Sequence, residues 1–169
     1  MPSGDPFDTL GVAPRFGIGE AEIRRAWMRR ALDVHPDREG DASRSAEVNA
    51  ALEVLRDPVS RAEALLRRLG PLEGGDPPAS PEFLVEMIEL RERLDESRGS
   101  IEGAASVRAE AEARLAAVFL EIGEAFDAES APPADAHLVR RIRALLGSAR
   151  ALRRVLEHVD SATEAARPT

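Results

Sequence analysis

This sequence predicts an all-α protein made of two helical units, on three observations. Ala, Leu, Arg and Glu dominate, aromatics make up 4% of the chain and β-branched residues are few, a balance that favours helix over strand. Apolar residues recur at three- and four-residue intervals in several successive segments. A stretch dense in glycine and proline, Gly70 to Pro81, divides the chain in two.

The elements follow in order. DPFDTL (5–10) has room for one or two helical turns before Gly11, and PRFGIGE reads as a loop. From Glu20 to Val34, Ile23, Trp27, Ala31 and Val34 recur at helical spacing, with Trp27 expected in the core. Pro36 ends that helix, because the residue before a proline is pushed out of the α region. DREGD is turn-like, and a second helix is expected from about Ser43 to Arg56, with Val48, Ala51, Leu52 and Leu55 on one face. Asp57-Pro58 interrupts it, and Pro58 suits the first turn of a further helix carrying Ala62, Leu65, Leu66 and Leu69. Beyond the glycine- and proline-rich stretch, Ser80 is a good N-cap with Pro81 at the first helical position. That helix should run to about Ser97. A second covers Ser100 to Ala128 with Leu115, Val118, Phe119, Ile122 and Phe126 in register. A third covers Asp135 to about Val159 with Leu138, Ile142, Leu145, Ala149, Leu152, Leu156 and Val159 in register. Three amphipathic helices with short connections predict an antiparallel three-helix bundle. The tail SATEAARPT is expected to fray. The organisation is therefore one unit over 1–72, a linker over 73–80 and a bundle over 81–169.

Composition narrows the function. At 169 residues, with 43% hydrophobic and 32% charged residues, the chain suits one or two small globular domains. No cysteine is present, so disulfides and thiolate–metal sites are excluded. The opening MPSGDPFD lacks the basic and apolar regions of a secretory signal, and no apolar run is long enough to cross a bilayer. A cytoplasmic protein with no membrane partner is expected. The formal net charge of −8 argues against nucleic-acid binding, since phosphates would be repelled on average. Charge is unevenly spread: arginines cluster in RRAWMRR (24–30) and carboxylates in EMIELRERLDE (86–96), which suggests two different partner surfaces.

His35-Pro36-Asp37 follows the basic amphipathic helix and precedes the next one. Proline stiffens the turn, so an imidazole and a carboxylate can be presented at a defined angle, with less entropy lost on docking than from a free loop. Arg24, Arg25 and Arg29 project away from the Ile23/Trp27/Val34 stripe and are placed to steer toward an acidic surface. The alternative is that His35 caps a helix, Asp37 makes a turn, and the arginines form a solvated face. The opening DPFDTLGV, the basic helix, HPD, and the run VNAALEVLRDPVSRAEALL with Asn49, Leu52, Leu55, Asp57, Pro58 and Arg61 together resemble a J-domain over residues 5–69. That resemblance implies that HPD stimulates the ATPase of a DnaK-like chaperone, with Asp37 pairing with a partner arginine. Two departures are Met28, where J-domains often carry a basic residue, and Arg30, where a leucine is usual. The stem of Arg30 can pack while its head snorkels outward.

The segment FLVEMIELRERLDE (83–96) carries one apolar face too many. At about 100° per residue, Phe83, Met87, Leu90 and Leu94 form one narrow stripe. Leu84, Val85 and Ile88 point elsewhere, alongside Glu89, Glu92 and Glu96. Surplus apolar residues rimmed by carboxylates are what a partner site looks like. Together with Arg61-Ala62-Glu63 and Leu65-Leu66, this run resembles the HscB co-chaperones, in which a J-domain is joined to a three-helix bundle. The resemblance covers roughly residues 5–160. It implies that Leu84, Val85, Ile88, Glu89, Glu92 and Glu96 hold the iron–sulfur scaffold IscU, and that the chaperone partner is of the DnaK/HscA type. Where the family site usually adds an aromatic residue from the last helix, this chain has Ala144. The alternatives are that the three apolar residues pack on the first unit, or on each other in a homodimer.

Nothing else in the sequence amounts to a site. His35, His137 and His158 lack metal-ligand spacing, GIGEAE lacks a preceding strand and the phosphate-loop lysine, and the many carboxylates sit on exposed helical faces. No metal, no cofactor and no catalytic residue is expected. The expected function is a co-chaperone that is not an enzyme, activating a DnaK/HscA-type ATPase and delivering an IscU-type scaffold to it. The rivals are a J-domain co-chaperone with a different client, a small hydrolase using His35 and Asp37, and a helical adaptor with a degenerate HPD loop.

Overall fold

The computed structural model describes residues 4–33, 41–70, 77–97, 100–128 and 135–165. They form α1 (Pro6–Leu10), α2 (Glu20–Asp33), α3 (Asp41–Arg56), α4 (Pro58–Arg68), α5 (Pro81–Glu96), α6 (Ile101–Asp127) and α7 (Ala136–Ala165). No strand occurs among the described residues. They divide into two compact units, one within Met1–Glu73 and Phe126–Ala134, the other within Gly74–Ala125 and Asp135–Thr169. Three helices begin with the same device, a polar N-cap followed by proline. Asp5 accepts from the Phe7 and Asp8 amides, Asp57 from Ser60, and Ser80 from Phe83. The proline costs nothing there, because the first-turn N–H it lacks would have had no helical partner.

In the first unit α1 packs on α2 and α3, α2 on α3, and α3 on α4. The shared core contains Phe7, Leu10, Ile23, Val48, Leu55 and Leu66. Gly11 closes α1 at φ 66°, a left-handed conformation that favours glycine. Four side chains depart from the expected pattern. Ala26 is fully buried, while Trp27 is only half-buried and donates its indole N–H to Asn49 Oδ1 at 2.9 Å. An indole needs a hydrogen-bond partner, and at the edge of the α2–α3 contact it finds one, whereas the tight helix crossing selects the small alanine. Phe16 and Ile18, in a segment read as loop, are buried core residues.

Arg61 explains how that loop is held. Its guanidinium donates to the backbone carbonyls of Leu55 (2.7 Å), Phe16 (2.8 Å) and Ile18 (3.3 Å), and lies 5.8 Å from the centre of the Phe16 ring. Burial lowers its pKa, with nearby Asp57 opposing, and the group stays charged because arginine starts so far above neutrality. One planar fork therefore satisfies carbonyls from both α3 and the loop. Hydrogen bonds from a charged donor contribute roughly 1.5–3 kcal/mol, so Arg61→Ala is expected to lower the unfolding free energy by about 2–3 kcal/mol in urea titrations. A loss within about 0.5 kcal/mol, the ordinary range for a surface substitution, would show that burial of Phe16 and Ile18 holds the loop unaided.

The second unit is a bundle of α5, α6 and α7. Met87, Leu90 and Leu94 of α5, Val107 and Ala111 of α6, and Leu152, Val155 and Val159 of α7 share one buried cluster, with Phe83, Leu115 and Val118 packed against it. On α7, Ile142, Ala149, Leu152 and Val159 are buried as expected, while Leu146 and Val155 are buried where Leu145 and Leu156 were expected and these two are only half-buried. Gly103 lets α6 start close against the end of α5, since a Cβ there would lie 2.5 Å from Ser97 Cβ. Across the bundle surface Arg93 pairs with Glu110 at 2.6 Å, and Arg114 reaches Glu110 at 2.9 Å. The hydrogen bond from Arg93, aided by Arg114, holds the Glu110 carboxyl below the usual carboxylate range. Helix α7 continues past Val159 to Ala165, so the expected fraying at residue 161 does not occur. Ala162 packs against the core cluster, Thr163 Oγ1 donates to the Val159 carbonyl at 2.8 Å, and Arg108 pairs with Asp160.

Candidate functional site

Two candidate binding surfaces arise from this architecture, one on each unit. On the first, burying Ile23 and Ala26 turns the opposite side of α2 to solvent. Arg24, Arg25 and Arg29 are all exposed there and make no ion pair among the described residues. Between them stand Met28 and Leu32, 51% and 76% exposed. Leu32 is a candidate contact residue that the sequence reading passed over. The helical wheel that placed the arginines also places Leu32 between Arg24 and Arg25, so the signal was available. The face is thus cationic and apolar together, which suits a partner surface with both acidic and apolar groups. Arg30 points elsewhere. Its guanidinium lies over the end of α1, with Nη2 2.9 Å from the position a Cβ on Gly11 would take. It is exposed rather than inserted in the core, as a snorkelling side chain should be. His35, Pro36 and Asp37 lie outside the described residues.

On the second unit, α5 presents two distinct faces. Met87, Leu90 and Leu94 are buried, while Leu84, Val85 and Ile88 are 51%, 54% and 55% exposed. The geometry follows from the sequence, since one helix can turn only one stripe toward two neighbours. Glu89, Glu92 and Glu96 are exposed on the same helix. Arg93, on the same helix as these carboxylates, is drawn to Glu110 of α6. Glu92 and Glu96 make no ion pair among the described residues, and Glu89 lends Arg93 only a longer-range attraction. Leu84 and Ile88 also form one wall of a groove of about 450 Å³ between α5 and α7, and Ala144, half-buried, lies in its opposite side. The groove had no counterpart in the sequence reading, because periodicity says nothing about the depth between two helices.

Among the described residues no group of three or more His, Asp or Glu side chains is arranged to hold a metal ion. No helix among them is long and apolar enough to cross a membrane.

Residues 5–64 match the family model of the DnaJ domain, and residues 79–145 match that of the HSCB C-terminal oligomerisation domain. A DnaJ domain followed by a helical HSCB C-terminal domain defines a J-domain co-chaperone. Among curated relatives, a co-chaperone protein HscB homolog from Bordetella pertussis is 36% identical over 127 residues, covering 68% of this chain and 75% of its own. The homolog from Azoarcus sp. is 33% identical over 151 residues, covering 82% and 85%. The chain belongs to the HscB family of co-chaperones. Solved structures agree on the fold. Chaperone HscB from Vibrio cholerae matches with a TM-score of 0.77 at 18% identity, over 97% of this chain and 100% of its own. The human co-chaperone protein HscB matches with a TM-score of 0.79 at 19% identity, over 95% and 83%. The family is one of co-chaperones rather than of enzymes.

Proposed function

We propose that this chain activates the ATPase of a DnaK/HscA-type chaperone and delivers an IscU-type iron–sulfur scaffold to it, in the cytoplasm. In this reading residues 1–72 dock on the chaperone through Arg24, Arg25, Arg29, His35, Pro36 and Asp37. Residues 81–169 hold the scaffold through Leu84, Val85, Ile88, Glu89, Glu92 and Glu96, and 73–80 join the two. The observation that carries the client side is the surplus face of α5: three large apolar residues, each more than half exposed, on a helix whose core contacts are already made by others. Exposed apolar side chains grouped beside carboxylates favour a protein partner over solvent.

The chain's contribution is physical rather than chemical. Holding the scaffold on one unit while the other docks makes the second encounter effectively intramolecular, raising client concentration at the chaperone by orders of magnitude without new contacts. No bond is made or broken on this chain; the nucleotide and the cluster belong to the partners. A single-turnover ATPase assay tests this. Adding the full chain to the DnaK/HscA-type chaperone should accelerate hydrolysis, and chain plus IscU-type scaffold should accelerate it more than the two separate increments combined. Acceleration that ignores the scaffold would assign the bundle to another client.

A further inference from the structure

The exposed faces of α2 and α5 are complementary in charge and in the order of their residues. Along α2 the face runs Arg24, Arg25, Met28, Arg29, Leu32, cationic first and apolar last. Along α5 it runs Leu84, Val85, Ile88, Glu89, Glu92, Glu96, apolar first and acidic last. All of these residues are exposed. Of the large apolar side chains exposed among the described residues, five stand on these two faces, and only Ile101 and Leu120 stand elsewhere. The spacing matches as well. Arg24, Met28 and Leu32 form one row at four-residue steps, and so do Leu84, Ile88 and Glu92. On each helix four residues rise about 6 Å. Laid antiparallel, the two rows therefore set Leu32 against Leu84, Met28 against Ile88 and Arg24 against Glu92. Arg25 and Arg29 then fall about half a turn to either side of the level of Glu89. Interdigitated rows of this kind are the commonest way that two helices pack. Of the charges that would oppose this register, Glu20 is paired with Arg56 at 3.6 Å, and Arg91 lines the groove on the side of α7.

We infer that a second copy of this chain docks here, the α2 face of one copy lying antiparallel on the α5 face of another. One chain carries both halves of the match, cationic with apolar and acidic with apolar, and supplies them in equal amount. The contact joins two different surfaces, so each pair leaves one α2 face and one α5 face open unless the assembly closes on itself. Both faces are small and their charges are exposed, so the contact is weak and sensitive to salt. The regulatory consequence rests on the proposed function. An α2 face covered by a neighbour does not dock on the chaperone, and a covered α5 face does not hold the scaffold. Scaffold arriving at α5 displaces the neighbouring α2 face and frees it for the chaperone. Self-docking thus holds ATPase activation back until client is present, and does so more strongly as the chain becomes more concentrated.

Sedimentation velocity of the full chain tests the contact. At about 20 mM salt the mean sedimentation coefficient should rise between about 1 and 500 μM chain, and about 500 mM salt should reverse the rise by screening the charges. Arg24→Glu with Arg25→Glu and Arg29→Glu should weaken self-association at least about tenfold, and so should Glu89→Arg with Glu92→Arg and Glu96→Arg. Mixed in equal amounts, the two triple variants should associate again, because each face then meets its opposite charge. Misfolded chains would not recover in this way. The single changes Arg24→Glu and Glu92→Arg, both at exposed positions, repeat the test and decide it if a triple variant loses helicity. A chain that stays monomeric at low salt throughout overturns the inference. So does self-association that neither reversal of charge weakens, or a mixture that associates no better than its components. Added IscU-type scaffold should break up the self-associated chain. If the charge variants behave as expected and the scaffold leaves self-association intact, self-docking stands and scaffold binding on α5 fails.

Discussion

His35→Gln is expected to abolish acceleration of the chaperone's ATPase, leaving less than about a tenth of the wild-type effect, a loss of at least 1.4 kcal/mol in the productive complex. Glutamine keeps one donor and one acceptor but neither the flat ring nor its reach. A contact set by the angle at a proline-stiffened turn tolerates little displacement. The comparison with α2 makes the result specific. Arg24, Arg25 and Arg29 are exposed and unpaired among the described residues, so replacing one of them should slow association and soften its salt dependence without abolishing activation. Scaffold binding by His35→Gln should stay at the wild-type level, because the residues proposed to hold the scaffold all lie in the second unit. Full activation by this variant would remove His35 from the docking site and leave the arginine face to account for whatever activation the chain has.

Leu84→Ala with Ile88→Ala should reduce affinity for the IscU-type scaffold by about 10- to 150-fold. Burying a whole leucine or isoleucine side chain contributes roughly 1.5–3 kcal/mol. These two are 51% and 55% exposed in the free chain, so about half of that gain remains to be made on binding, or roughly 1.5–3 kcal/mol for the pair. The other half of that burial is already made in the free chain, so the pair should also lower folding stability by up to about 1.5–3 kcal/mol, while Met87, Leu90 and Leu94 keep the core contacts of α5. Circular dichroism and a melting curve would check that, and calorimetry the affinity. An affinity within a factor of two of wild type would move the client site off this face. ATPase activation without scaffold should be unchanged, which separates this variant from His35→Gln.

The two variants probe parts of the chain that differ in how far the sequence alone could describe them. Helix identity and the division of α5 into a buried stripe and a spare face were legible because both follow from residue spacing. Residues 83–96 cannot turn Leu84, Val85 and Ile88 inward together with Met87, Leu90 and Leu94. The exposed arginines of α2 were legible for the same reason. The J-domain and HscB resemblance rested on a few motifs, and the family comparisons bear it out along most of the chain. What spacing misstated were single positions at helix contacts. Trp27 yields the core to Ala26 because its N–H seeks Asn49. Leu146 is buried rather than Leu145 because the roll of α7 is set by its neighbours. The end of α7 stays helical where Ala162 packs against the core cluster, with Arg108, far away in sequence, pairing with Asp160 beside it.

By itself, then, the amino-acid order determined which segments coil, which face of each is apolar, and which residues are left over for a partner. These are one-dimensional properties, fixed by a period of 3.6 residues and by the turn chemistry of proline and glycine. Only the tertiary structure decided that Arg61 secures the loop carrying Phe16 and Ile18, that Arg93 serves Glu110 rather than its own helix, and that Ala144, Gly147 and Ala151 open a groove against Leu84 and Ile88. Each of these depends on the distance and roll between two helices, which interdigitating side chains set jointly. No single segment contains that information.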